Sequence, residues 1–236
     1  MDTRFSFQIT AQPSEDTCGP TCLHAVYRYY GDDISLDRVV RDIPHLPDGS
    51  TLDALLALHA QKRGYRATIY SFNLNVFDPS WFSLTRAKVR QKLLKQLDVK
   101  SHPKLEMATK AYIEFLKLGG RLRLKDPTAS LVRGYLKRGR PIVAGLSSTW
   151  LYRAPRELEN TTADDIRGEP AGHFVVLHGY DRELREVCVA DPYAHNPYTE
   201  GLQYKVRMER LIAAVLLGVV SYDSNLLVIE PKKKAA

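Results

Sequence analysis

Along this chain the spacing of apolar residues changes from helical to strand-like, and that order limits the fold more than any other feature. From Cys18 to Tyr30, the residues Cys22, Ala25, Val26 and Tyr29 fall on one helical stripe, with Asp16 or Thr17 as a cap, Pro20 in the first turn and Gly31 as the stop. Amphipathic segments follow at Ser35 to Asp42 and Ser50 to Arg63, then a strand from Tyr65 to Phe72. Residues 73–138 read as helices: a basic stretch opened by Asp78-Pro79-Ser80 and running to Leu97, another from Pro103 to Leu118 ended by Gly119-Gly120, and a third from Thr128 to Lys137. Five β-branched runs come after them, at Pro141 to Ser147, Gly172 to Gly179, Glu186 to Ala190, Tyr204 to Arg207 and Leu226 to Glu230. Helices first and a largely antiparallel sheet later predict an α+β fold. With no flexible linker in view, residues 1–236 are expected to form a single domain carrying a helical insert.

The composition closes off several classes. With 44% hydrophobic and 26% charged residues, the 236-residue chain is neither collagen-like, low-complexity nor disordered. The longest uncharged apolar stretch, Leu211 to Val220, is far short of the ~20 residues that cross a bilayer and is expected in the core. The N-terminus lacks an apolar h-region and a small-residue cleavage site, which predicts a cytoplasmic protein with no membrane partner. Three cysteines are too few for a disulfide scaffold and suit a reducing compartment. The net charge of +7 gathers in Lys88 to Lys104, Arg121 to Lys125, Arg133 to Arg140 and Lys232-Lys233-Lys234. No zinc-finger spacing, RNA-recognition aromatics or Gly-rich phosphate loop accompanies it, so these charges read as solvated helix faces rather than a nucleic-acid site.

A cysteine is a strong nucleophile only as thiolate, and the first turn of a helix offers unpaired N–H groups and a positive dipole end to such an anion. Cys18 sits there, whereas Cys22 and Cys188 read as small buried hydrophobes. Gly19 beside it has no side chain to obstruct a substrate backbone. Thiolate chemistry also needs a base held by a partner on its other nitrogen. If the strands around Gly172 to Gly179 and Glu186 to Asp191 pair through a turn near Glu183-Leu184, opposed residue numbers sum to about 367, and His173 comes beside Asp191 to Ala194. His178 falls opposite Cys188 and Val189, faces no acid, and reads as a packed strand histidine. Gln12, six residues before Cys18, can supply a side-chain amide to a developing oxyanion.

Gln12, Asp16-Thr17-Cys18-Gly19-Pro20 with Leu23, Gly172-His173-Phe174-Val175-Val176-Leu177 and Asp191-Pro192-Tyr193 together resemble the motifs of the bacteriocin-processing, double-glycine leader peptidases, a branch of the papain-like cysteine peptidases. The resemblance implies a papain-like fold with the nucleophile on the N-terminus of a central helix packed on an antiparallel sheet. It implies Cys18 as nucleophile, His173 as base, Asp191 as orienting acid and Gln12 as oxyanion residue; Gly19 and Gly172 are expected on the substrate side. It also implies a peptide or peptide-conjugate substrate and no cofactor. The chain carries no transporter segments, so a stand-alone form is expected, and Gln61 to Arg140 exceeds what a minimal peptidase needs.

The segment Leu146 to Arg156 is expected to line the cleft, with Arg153 or Arg156 recognising a substrate carboxylate. Metal is not expected: there is no HExxH, Cys18 and Cys22 lack a second ligand pair, and His173 and His178 alternate faces on a strand. The reading is a cysteine peptidase or amide hydrolase working through an acyl-enzyme. The competitors are a silent peptide-binding module of the same fold and a basic nucleic-acid-binding protein.

Overall fold

A computed structural model of the chain describes residues 3–46, 49–159 and 161–232. Lys233 and Lys234 of the basic C-terminal cluster, like Met1 and Asp2, lie outside the described residues. The elements run β1 (Thr3–Arg4), α1 (Cys18–Tyr29), α2 (Leu36–Asp42), α3 (Asp53–Lys62), β2 (Tyr65–Ser71), α4 (Arg86–Leu97), α5 (Pro103–Lys117), β3 (Arg121–Arg123) and α6 (Ala129–Leu136). They continue through β4 (Ile142–Ser147), α7 (Ser148–Tyr152), β5 (Gly172–Asp181), β6 (Glu186–Ala190), β7 (Gln203–Arg207), α8 (Met208–Leu217) and β8 (Asn225–Pro231).

Local signals set most helix ends. Ser35, Thr85 and Thr128 each accept the backbone N–H three residues on, satisfying a donor that the first turn cannot. Gly31, at φ 74°, gives α1 its left-handed exit. Three boundaries differ from expectation. The helix after Ser50 starts only at Asp53, because Leu52 is extended at its cap. The basic helix expected from Asp78 is broken into a 3-10 turn, Pro79–Ser83, and α4, because Thr85 is extended and caps a new start. The insert is not purely helical: Arg121–Arg123 pairs in parallel with β2 as an edge strand, and its Arg-Leu-Arg pattern is too short and charged to announce itself.

The strands form one sheet in the order β3-β2-β8-β4-β5-β6-β7, with β1 pairing the far end of β5. Apart from β2 with β3, neighbouring strands run antiparallel. Alternation along each strand feeds two cores, one per face. Phe174 and Val176 of β5, with Leu227 and Ile229 of β8, pack with α1, α3 and α5. Val175, Leu177, Leu226 and Val228 pack with α6, α7 and α8 on the other face. The stretch Leu211 to Val220 is only half core: Leu211 and Val215 are buried, while Leu216, Leu217 and Val220 are exposed, because α8 has the sheet on one side only. Among the described residues no helix is long and apolar enough to cross a membrane.

Candidate active site

The first residue of α1 is Cys18, and the helix is docked so closely that a Cβ on Gly19 would lie 3.2 Å from Phe174 Cδ2 and 3.4 Å from Leu56 Cδ1. The missing side chain of Gly19 therefore serves helix-to-sheet packing, a different reason from the open approach read from sequence. The turn before the helix is held by Thr17, whose hydroxyl donates to the Ser14 carbonyl at 2.8 Å and accepts the Ser14 N–H at 3.1 Å. Thr17 is the cap residue, yet neither its side chain nor that of Asp16 caps the helix, which leaves first-turn N–H groups uncapped beside the half-buried Cys18 thiol. One turn further in, Cys22 is buried with its Sγ 3.2 Å from the Phe174 carbonyl, and burial, then the nearby Cys18 and Asp191, pushes its pKa well up. Such a thiol is unreactive.

His173 is the second residue of β5 and Asp191 directly follows β6. The hairpin register runs Val176 to Ala190 and Leu177 to Val189, then slips at a bulge to Gly179 opposite Cys188, leaving His178 at the bulge. His178 is buried, its ring stacked on Phe7 at 5.6 Å. At the open end His173 Nε2 meets Asp191 Oδ1 at 2.8 Å. Burial pushes the imidazole pKa down, but Asp191 and then Cys18, by charge and hydrogen bonding, outweigh it and raise the value to about 10. The ring that bonds Asp191 thus also faces the Cys18 thiol, with Nδ1 the nitrogen Asp191 leaves free.

Asp191 is fully buried, with two donors on each oxygen. Oδ1 accepts from His173 and from the Tyr193 N–H at 2.9 Å, while Oδ2 accepts the hydroxyls of Tyr152 at 2.7 Å and Tyr204 at 2.6 Å. Burial alone would raise its pKa, but His173, Tyr204 and Tyr152 hold it below the usual carboxylate value. The His173 ring is walled by Tyr152 and Tyr193, with centroids 6.1 and 6.2 Å away. Sequence reasoning missed Tyr152 and Tyr204. Their only signal there was position, Tyr204 on a strand next to the one ending at Asp191.

Gln12 is tied to the same region through its N–H, which donates to the Pro192 carbonyl at 2.9 Å; its Nε2 donates to the Glu15 carbonyl at 3.2 Å. Gly172 is exposed beside His173, and a Cβ there would fall 1.9 Å from Asp223 Oδ2, so the glycine admits the Asp223 side chain. Arg153 and Arg156 line a groove of about 750 Å³ with Trp150, Arg210, Leu217 and Val220, whose walls include none of Cys18, His173 and Asp191. Arg156 Nη2 is also engaged, donating to the Asp165 carbonyl at 2.5 Å. An acidic charge is coupled to the imidazole: Glu157, whose pKa is raised, first by burial and then by Glu15, against the lowering charge of His173.

A central helix that opens on a cysteine and packs on an antiparallel sheet beside a histidine strand is the fold of the papain-like cysteine peptidases. The Peptidase C39 family matches residues 6–88 and the Peptidase C39-like family residues 102–211, so the chain is a cysteine peptidase similar to these two families over those stretches. A search of curated proteins finds no match. Among solved structures, a protein from Bacillus anthracis described as a C39-like peptidase superposes with a TM-score of 0.50 at 15% identity, covering 99% of this chain and 100% of that one. Xylellain, a cysteine protease from Xylella fastidiosa, superposes with a TM-score of 0.51 at 14% identity, covering 98% of this chain and 85% of that one.

Proposed function

We propose that this peptidase cleaves a peptide or peptide-like amide through a thioester on Cys18, with His173 as acid and base, Asp191 as its orienting partner and Gln12 at the oxyanion. The observation that carries the reading is the imidazole of His173, bonded through Nε2 to buried Asp191 and kept charged, against burial, first by Asp191 and then by the neighbouring Cys18. An imidazolium held to about pH 10 is the counter-ion a thiolate needs at neutral pH. The thiolate adds to the scissile carbonyl. The oxyanion accepts from the Cys18 N–H at the helix start and from the second Nε2 hydrogen of Gln12. The C–N bond then breaks as His173 gives its proton to the leaving amine, and a water deprotonated by His173 releases the acid.

A single polypeptide domain with residues 73–138 as an elaboration is part of the same reading. The C39 family and the fold favour the enzyme over a silent binding module or a nucleic-acid-binding protein. Recognition of a substrate carboxylate by Arg153 or Arg156 is proposed only for a residue away from the scissile bond, since their groove omits the reacting groups. The test is iodoacetamide labelling with peptide mapping, followed by turnover of a peptide library. Cys18→Ala is expected to abolish turnover and labelling at that position, Cys22→Ala to spare both, and Arg153→Ala to lose preference for acidic over neutral peptides. Labelling confined to Cys22 or Cys188 overturns the assignment of the nucleophile, and equal discrimination by Arg153→Ala overturns the arginine role.

A further inference from the structure

We propose that Tyr152 and Tyr204 are positioning residues that clamp Asp191 from two sides, so that its other oxygen holds the His173 ring in register with Cys18. The inference rests on the reading of Cys18, His173 and Asp191 as the reacting set. A carboxylate with no exposed surface is costly to keep ionised unless its lone pairs are filled. Both phenols converge on Oδ2, at 2.7 and 2.6 Å, while Oδ1 serves His173. Oδ1 is also held by the Tyr193 N–H at 2.9 Å, and the phenols restrain the other oxygen against rotation about the Cβ–Cγ bond. Two donors from separate elements, α7 and β7, fix its plane and with it the direction of Oδ1.

The two arms are also tied to each other. The Tyr204 ring stacks on Tyr198 at 4.5 Å, and the Tyr198 hydroxyl donates at 2.5 Å to the carbonyl of Leu151, the residue before Tyr152 in α7. Burial first, then the charge of Asp191, pushes both tyrosine pKa values upward, so the hydroxyls stay protonated donors. Each phenol is spent on Asp191 rather than on a substrate. Their effect on chemistry therefore passes through the carboxylate to the imidazole.

The test compares Tyr152→Phe, Tyr204→Phe and the double variant with Tyr70→Phe, a control whose lost hydroxyl bonds Tyr135 elsewhere in the fold. The probe is iodoacetamide, and the readout is the alkylation rate of Cys18 against pH in the full chain, followed by mass spectrometry. Wild type is expected to be alkylated at Cys18 in preference to the buried Cys22 and Cys188. Each single variant should react roughly tenfold more slowly at neutral pH, the value of one hydrogen bond to a charged group, and keep the wild-type rate at the alkaline limit. The double variant should lose more, the control nothing, and peptide turnover should fall in kcat with KM kept. Wild-type profiles in both tyrosine variants, each shown folded by thermal melting, overturn the positioning role. A wild type alkylated at Cys22 or Cys188 and not at Cys18 overturns the underlying reading instead, and the proposal with it.

Discussion

Replacing Asp191 by asparagine keeps its volume and one acceptor oxygen while removing the charge that His173 depends on. Burial works against the imidazolium, yet Asp191 and Cys18 carry its pKa from 6.5 to about 10. At about 1.4 kcal/mol per unit this lift is worth roughly 5 kcal/mol of preference for the charged ring. The folded value lies above the unfolded one, so this stability is complete below about pH 6.5 and is lost as pH rises towards 10. The pKa of Asp191 itself is lowered from 3.8, so its own contribution is already complete throughout that window. Asp191 is the larger of the two attractions on the ring, and asparagine should remove at least roughly 2 kcal/mol of the pH-dependent part. Urea unfolding measured between about pH 6 and pH 10 reads this directly and needs no substrate. The amide also leaves a buried donor mismatched, which lowers stability equally at every pH, so the slope carries the argument. The stability gap between wild type and Asp191→Asn is expected to narrow as pH rises. A gap constant across the window refutes the coupling of this carboxylate to the His173 proton.

Two further predictions concern residues that support the sheet end. Asp53 is fully buried with its pKa raised to about 7 by burial, against the Tyr112 hydroxyl, whose single hydrogen is shared between the two carboxylate oxygens at 3.0 and 3.1 Å. For an acid whose folded pKa exceeds its unfolded one, stability falls as pH rises between the two, so Asp53→Asn should gain on wild type from about pH 4 to pH 7. A flat difference in urea unfolding over that range contradicts the burial argument. At Gly172 a Cβ would meet Asp223 Oδ2 at 1.9 Å and Ser221 Oγ at 2.7 Å, whereas at Gly134 in α6 the nearest atom is an Arg138 Nη1 at 3.9 Å. Gly172→Ala is expected to lose roughly 1–3 kcal/mol through overpacking, and Gly134→Ala to hold or gain up to about 1 kcal/mol. Equal melting temperatures for the two variants would remove the packing reason for glycine at Gly172.

The approach of His173 to Asp191 is legible before any coordinates because a hairpin's register follows from its turn, and residues on opposed strands share a face. The position of Cys18 at a helix start is legible for a similar local reason, since Pro20 and the stripe from Cys22 to Tyr29 mark where the helix begins. Tyr152 and Tyr204 are not legible in this way. The chain has 13 tyrosines, and nothing in its own neighbourhood marks Tyr204 as aimed at a carboxylate. Tyr152 reaches Asp191 only because Ser148–Tyr152 forms a helix too short to show a period, capped by the Ser147 hydroxyl on the Trp150 N–H and ended by Arg153 at φ 56°. The Arg153 and Arg156 groove depends on the same helix, so the placement of those arginines was equally hidden. The edge strand β3 was hidden because three residues cannot display an alternation.

The site is assembled from two sources. His173, Asp191 and Tyr204 all belong to the β5–β6–β7 meander, where pairing is between sequence neighbours and closes short loops. Cys18 belongs to a helix on the other core, and its approach depends on α1 seating against Phe174 and Leu56 at Gly19. The meander therefore builds an ionised acid and its imidazole as one local unit, while the sulfur is delivered by a long-range docking contact. Three of the four donors to Asp191, from His173, the Tyr193 N–H and Tyr204, come from this meander and its loop, and Tyr152 of α7 supplies the fourth, so that every acceptor position of the buried charge is filled. The thiol lies on the side governed by helix packing, where the uncapped first turn of α1 can favour its anion only once the helix is seated beside the ring.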